Sequence, residues 1–130
     1  MREPNWIPST AVRAIHQELI AEHGGLPGVR DQNLLESALA RPKNLWAYED
    51  PNMFDLAAAY GFGLAKNHPF LDGNKRVALA AISVFLEINH YQLVADEAQA
   101  VEVMLGLADG TVSQKELSRW IQRHTRKAAG

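Results

Sequence analysis

Apolar residues recur at helical spacing along almost the whole chain. Val12, Ile15, Leu19 and Ile20 share one face of a segment that begins after Pro8, with Ser9 or Thr10 as its cap, and ends at Gly24-Gly25. Leu26-Pro27-Gly28 makes a tight connection, and Asp31 caps a second helix carrying Leu34, Leu35, Ala38 and Leu39. That helix is expected to stop before Pro42, because the residue ahead of a proline is pushed out of the helical region. Residues 43–52 (KNLWAYEDPN) then read as a loop or an irregular hairpin.

Asn52 caps a third helix over 53–66 with the stripe Phe54, Ala57, Ala58, Gly61, Leu64 and Ala65. Its two glycines, Gly61 and Gly63, each cost about 1 kcal/mol of propensity and permit close helix packing. Pro69 and Gly73 keep residues 67–73 non-helical. The longest apolar run, Val77 to Ile88, is broken only by Ser83 and Glu87. A helix apolar on nearly every side reads as central and buried. Residues 91–95 suit an extended segment, and Asp96 caps a helix through Val101, Met104, Leu105 and Ala108. Ser113 with Glu116 forms a capping box opening the last helix, which carries Leu117, Trp120 and Ile121. No repeat and no linker interrupts the series. The expected fold class is all-α, one helical domain over residues 1–130 wrapped around the Val77–Ile88 helix.

Composition narrows the function classes. With 47% hydrophobic and 22% charged residues in 130, the chain is neither disordered nor low in complexity. It has no cysteine, which excludes a disulfide framework, a thiolate zinc site and a cysteine nucleophile. The formal net charge of −2 argues against a direct nucleic-acid binder working by phosphate neutralisation. There is no apolar leader and no run of about 18 apolar residues, so a membrane partner is not expected. A cytoplasmic protein acting on a protein or a small molecule is the expectation.

Candidate chemistry is concentrated in His68-Pro69-Phe70-Leu71-Asp72-Gly73-Asn74-Lys75-Arg76. Gly73 to Arg76 lie where a loop enters the apolar helix. The first N–H groups of a helix lack intrahelical acceptors and sit at the positive end of its dipole, which favours an anion. Glycine at the mouth lets phosphate oxygens approach the backbone, and Lys75 and Arg76 add charge. Asp72 is a hard oxygen ligand of the kind Mg²⁺ uses when it also holds nucleotide phosphates. Histidine is the side-chain type suited to general-base work near neutrality, which makes His68 the candidate base. Phe70 is expected to point inward and pin the loop. A base, a magnesium carboxylate and a phosphate cradle within nine residues outline a phosphotransfer site. The plainer alternative is a capped helix whose charges are merely solvated.

HPFLDGNKR resembles the Fic motif, H-P-F-x-[DE]-G-N-G-R, in the variant of the Doc (death-on-curing) toxins, where lysine replaces the second glycine. The upstream GGLPGVRDQNLLESALARP is also similar to the Doc pattern, so the likeness covers essentially the whole chain. It implies that His68 deprotonates a target hydroxyl and that Asp72 holds Mg²⁺. Phe70, Gly73, Asn74 (side chain included), Lys75 and Arg76 would bind ATP, with Lys75 and Arg76 neutralising its charge during transfer. Residues 43–52 would be a flap beside the active site, with Leu45, Trp46, Ala47 and Tyr48 holding the target by strand addition. Lys75 and Leu79, the latter where many Fic proteins carry a second arginine, argue against ordinary AMP transfer. They agree with Doc-like kinases of the translation factor elongation factor Tu. The nearest match to an inhibitory [ST]-x-x-x-E-[GN] helix is Ser83 to Glu87, which fails at Ile88. The implied restraint is a separate antitoxin. AMP transfer and a catalytically silent binding module are the rival readings.

Elsewhere the bland reading prevails. His16, His23, His90 and His124 read as exposed or packing histidines, and Gly24 to Gly28 as a structural turn. Arg119, Arg123, Arg126 and Lys127 give the last helix a basic face.

Overall fold

A computed structural model describes residues 1–128. Among them are six helices: α1 (Ser9–His23), α2 (Gln32–Tyr48), α3 (Met53–Asn67), α4 (Asn74–Ile88), α5 (Glu97–Asp109) and α6 (Gln114–Arg123). Two short strands, β1 (Tyr91–Leu93) and β2 (Thr125–Lys127), pair antiparallel with Gln92 opposite Arg126. The expected caps are present. Asp31 accepts from the Leu34 N–H and Asp96 from the Ala98 N–H, while Asn52 with Asp55 and Ser113 with Glu116 form reciprocal capping boxes. At α1 neither Ser9 nor Thr10 caps; the helix starts behind Pro8 without a side-chain cap.

The all-α architecture around a buried helix holds, but α3, rather than α4, is the more enclosed element. Met53, Leu56 to Gly61, and Gly63 to Ala65 are all buried. Three consecutive alanines and two glycines explain this, since small side chains let neighbours approach from several sides. A Cβ on Gly61 would stand 2.5 Å from Ile82 Cδ1 of α4, and one on Gly63 3.1 Å from the Ala38 carbonyl of α2. α4 buries Val77, Ala78, Ala81, Ile82, Phe85 and Leu86 but turns Glu87 and Ile88 to solvent.

The second departure is at Pro42. It lies buried inside α2, which runs on to Tyr48. A proline inside a helix loses the bond to the carbonyl four residues back and costs about 3 kcal/mol. Here that carbonyl belongs to Ala38, the residue against which Gly63 packs. The turns beyond Pro42 bring Leu45 and Trp46 onto the core, and this burial offsets the loss. Residues 43–48 are therefore neither loop nor hairpin. β2 is also unanticipated: it places Arg126 and Lys127 on a strand instead of on the last helix.

Candidate active site

The loop between α3 and α4 is held from two sides. At its start, α3 ends on His68, whose backbone is left-handed (φ 48°, ψ 55°). That conformation costs a residue other than glycine about 1–2 kcal/mol. The segment leading into α2 lies alongside. Arg30 donates from Nε to the His68 carbonyl at 2.7 Å and from Nη2 to the Asn67 carbonyl at 3.0 Å. The Arg30 and Asp31 N–H groups both donate to the Pro69 carbonyl, and the Leu71 N–H donates to the Gly28 carbonyl. Val29 and Phe70 form an antiparallel bridge.

At the other end, buried Asn74 closes the loop on itself. Its Nδ2 donates to the Phe70 carbonyl, and its Oδ1 accepts from the Phe70 N–H, both at 3.0 Å. Phe70 is buried and stacks on His16 with ring centroids 3.9 Å apart. The His16 ring, 2% exposed, places Nε2 2.8 Å from the Asp72 carbonyl. The Leu26 N–H donates to Asp72 Oδ2 at 3.2 Å. Gly25 permits that approach, since a Cβ there would lie 3.0 Å from the same oxygen.

Gly73, left-handed with φ 76°, is the N-cap of α4 and supplies no side chain to it. The first helix bond runs from Val77 N–H to the Gly73 carbonyl, which leaves the N–H groups of residues 74–76 at an uncapped helix start. They face a cleft of about 500 Å³ lined by Asp72, Gly73, Asn74, Lys75, Arg76 and Leu79 on one side. His23 and the α5 residues Glu97, Val101, Met104 and Leu105 complete the lining. Val101 and Leu105, 47% and 50% exposed, give that second wall an apolar character. A cationic rim and an open helix N-terminus, with the carboxylates of Asp72 and Glu97 on opposite walls, suit a polyphosphate carrying a cation. A magnesium ion fits the same set, with Asp72 as the one protein ligand and phosphate oxygens and water supplying the rest. Among the described residues, no group of three His, Cys, Asp or Glu side chains could hold a metal alone.

Asp72, Gly73, Lys75 and Arg76 thus converge as the motif suggests. His68 is exposed and does not line the cleft. Two assigned roles change. The Phe70 ring is buried against His16 and shapes the loop, so it does not reach the nucleotide cleft; the Asn74 amide gives one N–H and one lone pair to Phe70, keeps its second N–H, and adds its backbone N–H to the cleft. Leu45, Trp46, Ala47 and Tyr48 do not sit beside the motif. They occupy the last turn of α2, while its first turn adjoins Pro69; seventeen residues of helix span about 25 Å. Leu45 and Tyr48 instead line a groove with Arg41 and Gln114. The extended segment beside the motif is Gly28 to Asp31. His16, His23 and Arg30, read from the sequence as bland or not singled out, all adjoin the loop or its cleft. Leu79 faces the cleft as well, so a hydrocarbon surface stands where the wider motif would put a second cation.

Comparison with known proteins identifies the family. Residues 6–86 match the family model described as the Fic/DOC family. The chain is 33% identical over 111 residues to the protein kinase doc of Escherichia phage P1, covering 85% of this chain and 87% of that protein. It is 49% identical over 77 residues to toxin Doc of Mycolicibacterium smegmatis, covering 56% of this chain and 58% of that one. With the family model spanning most of the chain and the motif's cradle assembled at the start of α4, this chain belongs to the Fic/Doc family and is of the Doc type.

Proposed function

We propose that this protein is a Doc-type toxin that transfers the γ-phosphoryl group of ATP to a Thr or Ser hydroxyl of a translation factor. Elongation factor Tu is the first candidate target, arrest of translation and growth the consequence, and a cognate antitoxin the restraint. His68 takes the proton from the attacking hydroxyl, a role worth about 10²–10⁴ in rate. The N–H groups at the start of α4, with Lys75 and Arg76, meet the charge that develops on the transferred group. Magnesium, when bound at Asp72, supplies further neutralisation of the phosphates.

The observation that carries this reading is Lys75 in the lining of the cleft, one residue past Asn74 on an uncapped helix start. Glycine there would leave room for the β- and γ-phosphates to enter deeply and present the α-phosphorus to the base. A lysine adds bulk and charge at that point and favours the opposite entry, with the γ-phosphoryl outermost. The test is isotopic. Label from the γ-phosphorus of ATP is expected on elongation factor Tu, and label from the α-phosphorus is not. AMP on the target would instead mean that the cleft tolerates the usual Fic orientation. Lys75→Gly should lower phosphoryl transfer and open a weak AMP transfer.

A further inference from the structure

A general base works only if its imidazole is held where the hydroxyl arrives, and nothing inside the nine-residue motif holds His68. Its side chain is exposed, and its backbone carries the cost of a left-handed conformation. Backbone in that region persists when its surroundings over-determine it. The side chain that bonds the His68 backbone itself is Arg30. The Arg30 guanidinium reaches across from the segment before α2 and grips the carbonyls of Asn67 and His68, at 3.0 and 2.7 Å. These are the final carbonyls of α3, which lack intrahelical donors and sit at the negative end of its dipole. A planar fork can satisfy two adjacent carbonyls at once, whereas a lysine ammonium meets them as a point charge. Asn67 is fixed from the same direction, its Nδ2 donating to the Leu34 carbonyl at 3.0 Å.

We propose that Arg30 is a positioning residue for His68: by clasping the Asn67 and His68 carbonyls it holds the base's backbone left-handed, and through it the imidazole in one orientation. This inference rests on the reading of His68 as the base. Arg30 is exposed, and the backbone bonds from Arg30 and Asp31 to Pro69 do not involve its side chain. Removing the guanidinium therefore frees the base while the loop stays attached. The phosphate cradle is built on α4 and is held by His16 and Asn74, so nucleotide binding does not depend on the clasp.

The test uses the full chain and two readouts. The first is nuclear magnetic resonance without substrate, following the His68 Cα, Cβ and ring signals, identified by their loss in His68→Ala. In Arg30→Ala these signals should move from left-handed values toward those of a free histidine, with Arg30→Lys in between. The second is transfer of γ-label to elongation factor Tu. In Arg30→Ala kcat should fall roughly tenfold or more, as expected for a misplaced base, with ATP affinity held within about twofold. Arg30→Lys should recover part of it. Unchanged His68 signals in Arg30→Ala would overturn the proposal, as would wild-type turnover, or a raised KM for the protein substrate at unchanged kcat. If Arg30→Ala melts too low to assay, Arg30→Lys decides: intermediate His68 signals with intermediate kcat support the clasp, and wild-type values in both overturn it. Labelling that survives in His68→Ala would remove the base assignment itself, and the resonance readout would still report whether Arg30 holds the backbone.

Discussion

The two ends of the α3–α4 loop are only a few residues apart, yet different parts of the chain hold them. The His68 end is fixed by the lead into α2, through Arg30, Asp31 and Gly28. The Asp72 end is fixed by α1, through His16, and by the loop's own Asn74. Their chemistry differs accordingly. The first end is exposed and carries a strained backbone, which suits the proposed base that would meet a macromolecular hydroxyl. The second is built on buried side chains and presents a fixed array of N–H groups, as a charged and flexible ligand requires. On the proposed function, proton removal and anion binding are mechanically separate within one loop, and single substitutions should separate them in solution.

The largest expected effect is at the exposed end. His68→Ala should reduce target labelling by about 10²–10⁴ while leaving ATP affinity and thermal melting near wild type, because no buried atom is removed. Side-by-side labelling, calorimetric titration with ATP and melting would show it; a mutant that labels normally would take His68 out of the reaction. The anion end should respond in the opposite sense. Asp72→Ala should weaken magnesium-dependent ATP binding, since the proposed protein ligand of the ion is gone. His16→Phe keeps a ring against Phe70 but leaves the Asp72 carbonyl without its partner, which costs about 1–3 kcal/mol. It should weaken ATP binding less than Asp72→Ala and leave turnover at saturating ATP close to wild type. If His16→Phe lowered kcat instead, the two ends would be coupled and the comparison would fail.

The smallest effect lies outside the loop. Burial raises the Tyr60 phenol from its ordinary value to about 12, even though its oxygen accepts a bond from the Ile7 N–H. The unfolded chain ionises this group near 10, so stability attached to the neutral phenol is complete below pH 10 and is lost as pH rises toward 12. Denaturant titrations at pH 9, 10 and 11 should show falling stability. Tyr60→Phe should flatten that slope, and an equal slope in both proteins would mean another group is responsible.

Much of this could be read in the sequence, for reasons that are local. Asp31, Asn52, Asp96 and Ser113 act on N–H groups two or three residues ahead, so their roles are legible at short range. The cradle at Gly73 to Arg76 is likewise a property of one helix start. Pro42 was misleading because a local rule lost to tertiary packing, and with it went the placement of Leu45 to Tyr48. The supports of the loop were hidden for a different reason. His16 meets Asp72 across 56 positions of sequence, and Arg30 meets His68 across 38. Neither spacing leaves a periodic trace. The reciprocal pair of hydrogen bonds between Asn74 and Phe70 spans only four residues, but from sequence an asparagine beside a phosphate cradle reads first as a ligand.

Gly25 shows how far such supports extend into the pattern of tolerated mutations. Gly24 and Gly25 both have positive φ, at +82° and +117°, so any side chain strains the backbone at either position. Gly24 has nothing within 4 Å of where a Cβ would stand, whereas at Gly25 that atom would crowd the Asp72 carboxylate and Ile20. In a random library selected for escape from growth arrest, substitutions at 25 should therefore group with those at 72. Position 25 would behave as part of the active site although no atom of it takes part in the reaction, and its neighbour 24 would score as an ordinary turn.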